Sequence, residues 1–548
     1  MPSVFSQLFC LPISSSNSSS CSSKKGGVKV NEKCTRKGSS IINEASAKPP
    51  TSFKQKSSKL YKNKDSPLTK LSYDNQKWLR PHEICQEYKK ARNINFKPTF
   101  IFDGTSSMDI FQGGLGDCWF LCALQQIVEN EKAMEQILCK EFQSNSFEPQ
   151  RYNGQFKFKF NKFGEWVEVI IDDRLPCEIQ EVEGVNIWLP KNAHLALQAC
   201  DKNEDLDCQF DYESEKLEFW PLLLEKAFAQ FCGSYHRIDG GFAFEAFSYL
   251  CGSVGRYSNR EEFKSLTPEN VKEVISSGGF IHASGVIDQS HGIFSGHAYS
   301  VMDIHFFESG DEQEPIICLK NPWGQGECEG LKFNDDSSIW WKYPGLKEKL
   351  HQEHIDDGQF WMEFSKFKEI YSRVSISFLP KDMISNKVKD QCHKLWDRKL
   401  TKIIKSERQL SDEHQIDSYF TVDITQTKEL LLSFQLVDPR KQGLLEDEDH
   451  SYVNVHLNYA KMEESSSNSN YNFEEAPIKS VAYTYAKCKT DLAYDNKSKG
   501  QLMHAIINDT FSPGRYVFRA FTEESFDINH EGCFQIWENK KFLCFGRK

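Results

Sequence analysis

The segment that most constrains the chain is a glycine-rich loop that ends at a cysteine and passes directly into a helix pattern. Residues 112–121 read QGGLGDCWFL. After Cys118, apolar residues recur with the spacing of one helix face, at Leu121, Leu124, Ile127 and Val128. Cys118 is therefore predicted in the first turn of a helix, where the helix dipole and free backbone N–H groups favour a thiolate. The alternative is a buried structural cysteine, the commoner role of an isolated cysteine.

Three other polar side chains supply the chemistry that a thiolate nucleophile needs. The amide of Gln112, together with the helix N–H groups, is placed to stabilise an oxyanion. His297 enters a predicted strand over residues 299–304, and Asn321 follows another over residues 316–320. A lone histidine is usually structural, and Asn-Pro alone is an ordinary turn. In the order Cys, His, Asn, however, they form the papain-like arrangement of nucleophile, base and orienting amide.

The remaining sequence divides into a tail, a mixed region and an all-β region. Residues 1–70 carry thirteen Lys/Arg against three Asp/Glu and are rich in serine, so a disordered tail is predicted. From Trp78 onward, helix and strand patterns alternate. Residues 156–160 and 167–171 predict two paired strands, and residues 218–227 predict a helix with proline in its first turn. After about residue 395, successive strand-like runs predict a β-sandwich.

Composition excludes several classes of protein. A net charge of −11 argues against a dedicated nucleic-acid binder. The 18 cysteines are scattered without a C-x-x-C pair, which argues against a zinc ribbon and indicates a reducing compartment, so a cytoplasmic location is expected. No apolar run is long enough to span a membrane. The basic, serine-rich start also leaves an organelle transit peptide open as an alternative.

The segments around the three catalytic candidates resemble the active-site signatures of the calpain family, intracellular calcium-dependent cysteine proteases. Similar stretches occur elsewhere in the order that the family shows: WLRP at 78–81, DDRLP at 172–176, EFW with LLEKA over 218–227, and DGQFWM at 357–362. The resemblance covers residues 76–375. A weaker one over residues 433–440 and 512–516 suggests the family's C2-like sandwich.

The resemblance implies an α+β papain-like protease core of two subdomains, followed by an all-β C2-like sandwich. The expected boundaries are 1–75 for the disordered tail, 76–239 for the subdomain with Cys118, 240–378 for the subdomain with His297 and Asn321, and 395–548 for the sandwich. Gly240-Gly241 is the expected hinge. In the family the two halves close when each binds a calcium ion, and Trp323 would be the gate residue beside the histidine.

Two calcium sites are implied by the same resemblance, with oxygen ligands that suit this cation. The first would use the carbonyls of Phe102 and Gly104 with the carboxylates of Asp109 and Glu225. The second would use Glu327, Asp335, the Ile355 carbonyl, Asp357 and Gln359.

The second implied site departs from the family pattern. Gln359 is neutral where the family has an acid, and Ser107 stands where the family has the arginine that pairs with that acid. We therefore expect lower affinity at the second site and weaker coupling between the two. No EF-hand string occurs, so no penta-EF-hand small-subunit partner is expected.

The expected function is calcium-dependent limited proteolysis of flexible protein segments. The alternative is a calcium-responsive scaffold or binding protein on a catalytically weak calpain fold. The basic tail or the acidic run at 446–449 leaves a peripheral membrane contact open, although a solvated loop is the commoner role of such a run.

Overall fold

The computed structural model of the chain describes residues 62, 76–101, 104–139, 147, 152–190, 216–258, 260–309, 312–350, 352, 355–384, 396–405, 407–408, 414–415, 417–436, 455–461, 504–522 and 531–539. The predicted disordered tail, apart from Lys62, lies outside these ranges. So do Phe102 and the acidic run at 446–449.

The first protease unit surrounds one apolar core. Its helices are α1 (Pro81–Arg92), α2 (Cys118–Ile127), α3 (Glu131–Ile137), α4 (Trp220–Cys232) and α5 (Ala243–Cys251). Its strands are β1 (Lys77–Leu79), β2 (Lys97–Thr99), β3 (Gln155–Lys162), β4 (Glu165–Asp172), β5 (Leu175–Val182), β6 (Val185–Pro190) and β7 (Lys216–Glu218). Helix α2 is central because it is apolar on nearly every side, and eight of its ten residues are buried.

The β3–β4 hairpin confirms the strand pair predicted from alternating residues. Phe156, Phe158 and Phe160 are fully buried on one face of β3. They lie opposite Ile171, Val169 and Val167 of β4, respectively.

The helix predicted from Glu218 begins two residues later. Glu218 ends β7, which pairs in parallel with β2, and the Phe219 N–H donates to the Thr99 carbonyl at 3.0 Å. Pro221 then lies in the first turn of α4, as predicted. Pairing with a strand distant in the chain therefore overrides the local helix pattern at Glu218.

Helix α5 lies beyond the boundary predicted at residues 239–240, but its apolar side chains join the first core. Phe247 is fully buried there. Gly240 has a φ of 95°, and a Cβ added to Gly241 would approach the Trp119 indole to 2.5 Å. The two glycines therefore let the chain turn closely over α2. The apolar packing of the first unit extends through α5 to Cys251.

The second protease unit is built on a six-stranded antiparallel sheet in the order β12-β11-β10-β9-β13-β8. Its strands are β8 (Val254–Tyr257), β9 (Gly279–Ser284), β10 (Tyr299–Ser309), β11 (Glu312–Lys320), β12 (Gln359–Glu363) and β13 (Arg373–Phe378). Its helices are α6 (Arg260–Ser265), α7 (Pro268–Ser276), α8 (Ile339–Lys342), α9 (Pro344–Lys349) and α10 (Phe364–Ile370). The two strands predicted around His297 and Asn321 are present, and their pairing extends both of them into a long hairpin.

The C-terminal unit consists mainly of two antiparallel sheets, in the orders β14-β22-β18-β20 and β17-β21-β19. Its strands are β14 (Trp396–Lys405), β15 (Glu407–Arg408), β16 (His414–Gln415), β17 (Asp417–Ile424), β18 (Lys428–Leu436), β19 (Val455–Lys461), β20 (His504–Phe511), β21 (Gly514–Thr522) and β22 (Glu531–Asn539). Phe434 and Phe534 from the first sheet share one core with Phe518 from the second. The all-β prediction therefore agrees with the described strands.

The C-terminal unit packs on the protease core through a few large side chains. Trp396 and Trp537 are buried among the apolar residues of the second protease unit. Arg398 stacks over the Trp537 ring at 5.4 Å and donates to the Gly164 carbonyl at 3.1 Å. The β3–β4 turn of the first unit is thereby tied to β14. Among the described helices, none combines the length and apolar character needed to cross a membrane.

Candidate active site

Cys118 is the first residue of α2, as predicted from the sequence. Its N-cap, Asp117, makes no side-chain capping hydrogen bond. Ten cysteines are described as free thiols, and nine of them are buried, whereas Cys118 is partly exposed. Exposure at a helix N-terminus favours a reactive cysteine over a structural one. Cys122, one turn further along α2, is fully buried.

The loop before Cys118 is held by the predicted hinge segment. The Gly116 N–H donates to Asp239 Oδ1 at 3.0 Å, and the Gly240 N–H donates to the Gly116 carbonyl at 2.8 Å. A Cβ added to Gly116 would lie 2.4 Å from Asp239 Oδ1. Glycine at 116 therefore permits the close approach that fixes the start of α2.

His297 and Asn321 are in direct contact, as the papain-like order predicts. His297 Nε2 lies 2.8 Å from Asn321 Oδ1, which also accepts the Trp323 N–H at 3.1 Å. Asn321 Nδ2 donates to the Gly326 carbonyl at 2.9 Å, which determines the orientation of the amide. Because Oδ1 can only accept, Nε2 carries the ring proton. The other ring nitrogen, Nδ1, is left as the proton acceptor.

Aromatic rings enclose His297. The Trp323 ring lies 4.7 Å from the imidazole centroid, and Tyr299 meets it edge-on at 5.0 Å. Burial lowers the pKa of His297 to about 4, although the Asn321 hydrogen bond opposes this shift. Although Cys118 as a whole is partly exposed, desolvation of its sulfur raises the pKa of the thiol to about 12, against the opposing backbone contact with Ala298. In this arrangement the pair at pH 7 is a neutral thiol and a neutral imidazole. The thiolate predicted from the start of the helix is therefore not the favoured form here, because desolvation of the sulfur outweighs the backbone contacts that lower its pKa.

Gln112 lies where the two protease units meet. Its backbone N–H donates to the Pro322 carbonyl at 2.7 Å, directly beside Asn321. Its side-chain Nε2 donates to the Leu115 carbonyl at 2.6 Å. One amide hydrogen is therefore occupied, and an oxyanion would have to be bound by the other.

Comparison with known proteins shows the family of the chain. The family model for calpain family cysteine proteases matches residues 50–378, which is more than half of the chain. The chain belongs to the calpain family. Rat (Rattus norvegicus) calpain-8 is 34% identical over 333 residues, covering 58% of this chain and 40% of the relative. The human (Homo sapiens) calpain-2 catalytic subunit is 32% identical over 337 residues, covering 60% and 41%. The chain thus spans about two fifths of the length of these curated relatives.

The acids implied for the second calpain calcium site lie together. Glu327 Oε1 accepts the N–H groups of Asp357 and Gly358, both at 3.1 Å. Burial, followed by the charges of Asp335 and Asp357, raises the pKa of Glu327 to about 8. The Ile355 carbonyl accepts the Asp357 N–H at 2.8 Å. These carboxylates are half-buried and repel one another, and a bound cation would relieve that repulsion.

Gln359, the neutral residue among those implied for the second site, contributes no carboxylate. Gln359 donates its backbone N–H to Asp357 Oδ1 at 2.8 Å.

The residues implied for the first calcium site make other contacts in this structure. Asp109 Oδ2 accepts the Ser106 N–H at 2.7 Å within a short capping turn. Glu225 is buried in α4 and faces Asp117, whose pKa is raised well above its usual value by burial and then by Glu225. Gly104 has a φ of 117°. Within the described ranges, no group of three or more His, Cys, Asp or Glu side chains has metal-binding geometry. A cation at either site would therefore depend partly on backbone carbonyls or water.

His282 is a buried histidine that the sequence pattern did not single out. It lies on β9 and packs on Phe247 at 5.1 Å, and a backbone contact with Cys122 only partly opposes the effect of burial on its ring. Burial lowers the pKa of His282 to about 3, from a usual value of 6.5. Below pH 6.5 the unfolded chain takes up a proton that the folded chain excludes, so stability falls with falling pH.

Replacing His282 with phenylalanine is expected to reduce this acid sensitivity. The loss of unfolding free energy between pH 7 and pH 5 should shrink by about 2 kcal/mol. Urea unfolding at the two pH values measures it. Because the comparison is between slopes, a packing defect that is equal at both pH values cancels. An unchanged slope would show that His282 does not stay neutral.

Proposed function

We propose that this calpain-family chain is a calcium-dependent cysteine endopeptidase that makes limited cuts in flexible protein segments. The observation that carries the proposal is the 2.8 Å contact between His297 and Asn321, with the partly exposed Cys118 at the start of the adjoining helix. We assign Cys118 as the nucleophile, His297 as the base and acid, and Asn321 as the residue that orients the imidazole.

The chemistry follows from these positions. As the Cys118 sulfur attacks the substrate carbonyl, its proton moves to His297 Nδ1, because both groups start neutral. The N–H groups at the start of α2 and the remaining amide hydrogen of Gln112 stabilise the oxyanion. His297 then gives the proton to the leaving amine, and a water that it deprotonates releases the acyl group from Cys118.

Trp323 supports this cycle as a gate residue. Its ring packs between the His297 imidazole, 4.7 Å away, and the Phe294 ring, 4.5 Å away. Phe294 is itself substantially exposed. The two rings therefore separate the imidazole from bulk water, which strengthens the electrostatic interactions inside the site.

We propose calcium as the regulator. The second site would be held by Glu327, Asp335, Asp357, the Ile355 carbonyl and the side-chain oxygen of Gln359. The first would be held by Asp109, Glu225 and the carbonyls of Gly104 and Phe102. Calcium supplies the positive charge that lets these carboxylates lie together.

Replacing Glu327 with glutamine is expected to raise the calcium concentration for half-maximal activity by about tenfold, since one negative ligand is lost. Casein hydrolysis measured against calcium concentration tests this change, and it tests the proposed function at the same time. Wild-type chain should be inactive in EGTA and active at millimolar calcium. Folded, reduced chain without turnover at millimolar calcium would favour the scaffold alternative.

We also propose that the C-terminal unit is a C2-like sandwich and that the protein acts in the cytoplasm. Two facing sheets with one shared core support the first assignment. The scattered thiols support the second, because free cysteines persist in a reducing compartment.

A further inference from the structure

Helix α2 carries two polar residues, Cys122 and Gln126, on the same face as Cys118. Cys122 and Gln126 follow it at intervals of four residues, so the three side chains lie along one helix face. That face contacts β10, whose first residue comes two positions after His297. Cys118 begins α2 and His297 directly precedes β10, so the contact between these two elements relates the position of the nucleophile to that of the base.

Gln126 joins α2 to two strands of the second unit at once. Its Nε2 donates to the Val301 carbonyl at 2.6 Å and to the Ile281 carbonyl at 3.3 Å. Val301 of β10 and Ile281 of β9 are register partners in the sheet. One side-chain amide thus donates hydrogen bonds to carbonyls of two paired strands.

Cys122 makes a reciprocal contact closer to the catalytic residues. Its Sγ donates to the carbonyl of Ala298, the residue after His297, at 3.1 Å. The Ser300 hydroxyl donates back to the Cys122 carbonyl at 3.1 Å. Cys122 and Ser300 are both fully buried, so water does not compete for these hydrogen bonds.

We infer that Gln126 and Cys122 are positioning residues that hold the His297 strand in alignment with the Cys118 helix. The inference rests on the proposed function and extends it. Both contacts cross between the two protease units, whereas the contacts described for Gly116 lie within the first unit. Because a shift of about 1 Å between reacting groups can cost a hundredfold in rate, the alignment of α2 with β10 directly affects kcat.

The same contacts affect how far calcium binding has to shift the equilibrium toward the aligned arrangement of the two units. Each hydrogen bond formed only in the aligned arrangement raises the population of that arrangement before any cation binds. Losing Gln126 should therefore lower kcat and raise the calcium concentration for half-maximal activity, with little change in KM.

The test replaces Gln126 with methionine, which has similar length and shape but no N–H donor. The matched control is Gln230→Met. Gln230 lies on α4 and donates to the Ile170 carbonyl at 2.9 Å, so its amide also joins a helix to a strand, but entirely within the first unit. Both glutamines are half-buried.

With a peptide substrate and the full chain, Gln126→Met should lower kcat about tenfold and leave KM within about twofold. It should also raise the calcium midpoint. Gln230→Met should leave kcat, KM and the midpoint close to wild type. Equal kcat values and calcium midpoints in the two variants would overturn the inference. If Gln126→Met does not fold, Ser300→Ala replaces it, because this variant removes the neighbouring hydrogen bond between the units. Its kcat and calcium midpoint are then compared with those of Gln230→Met in the same way.

A measurement without catalysis separates this inference from the proposed function. In the Cys118→Ala background with calcium present, small-angle scattering should give a larger radius of gyration for Gln126→Met than for Gln230→Met. If wild-type chain does not hydrolyse peptide, the proposed function fails, and this difference still supports the alignment. Identical radii would overturn it.

Discussion

Replacing His297 with alanine is expected to lower kcat for peptide hydrolysis by about 10⁴-fold, with KM nearly unchanged. The imidazole is the group that receives the thiol proton, and burial holds the pKa of Cys118 at about 12, so the thiol does not ionise unaided at pH 7. Initial rates with a short fluorogenic peptide at saturating calcium measure the effect.

Asn321→Ala is expected to have a smaller effect, about 10²-fold on kcat, because the imidazole stays but loses its orienting acceptor.

His291→Ala is the control for His297→Ala. That histidine lies six residues before His297 and contacts the Glu329 carbonyl at 2.9 Å, on the exposed side of the unit. A His297→Ala variant within tenfold of the His291→Ala variant would exclude His297 as the base.

Replacing Lys226 with methionine is expected to lower the free energy of unfolding by about 3–5 kcal/mol. Lys226 is almost fully buried, and its Nζ donates to the carbonyl and Oδ1 of Asp172, both at 2.7 Å. It also donates to the Arg174 carbonyl at 2.5 Å. Methionine fills the space but removes the buried cation from Asp172 Oδ1, while Asp172 keeps its pairing with Arg174, which donates to Oδ2 at 2.6 Å.

Thermal and urea denaturation of the Cys118→Ala chain measure the Lys226 effect without self-cleavage. Lys366→Met is the control, because Lys366 pairs with Glu369 at 2.6 Å on the exposed surface, where an ion pair contributes at most about 1 kcal/mol. Adding Asp172→Asn to Lys226→Met should recover part of the loss. Equal destabilisation by the two lysine variants would contradict the buried-pair account.

Lys226 also connects three separated sequence stretches that carry the resemblance to the calpain family. It stands in the LLEKA stretch, Asp172 and Arg174 stand in DDRLP, and the Trp78 ring of WLRP lies 5.3 Å from its ammonium group. Arg80 of WLRP makes an ion pair with Asp173. The stretches therefore meet around buried charge in the first unit.

The start of α2 and the β3–β4 hairpin were predictable because their signals are local. A glycine-rich loop before an apolar helix pattern placed Cys118, and alternation placed Phe156 and its neighbours. The contact between His297 and Asn321 joins residues 24 apart. Only their order along the chain and the family resemblance indicated it.

What the sequence did not predict depends on tertiary neighbours. Glu218 was expected in a helix, but a parallel partner strand places it in β7. The signal for Gln126 was a polar residue within an otherwise apolar helix, and its partners, Val301 and Ile281, could not be identified before β10 was placed beside α2. Asp117 has no local signal of this kind, because nothing nearby in the sequence shows that it faces Glu225.

The central claim, that Cys118 is a calcium-gated nucleophile, is tested most directly by covalent capture. The full chain is treated with a peptidyl chloromethyl ketone in calcium or in EGTA, and modified thiols are identified by mass spectrometry. The chain has 18 cysteines, and the account predicts a single adduct, on Cys118, that forms with calcium, is strongly reduced in EGTA and is slowed by His297→Ala. Equal modification with and without calcium, or modification spread over other thiols while Cys118 stays free, would contradict it.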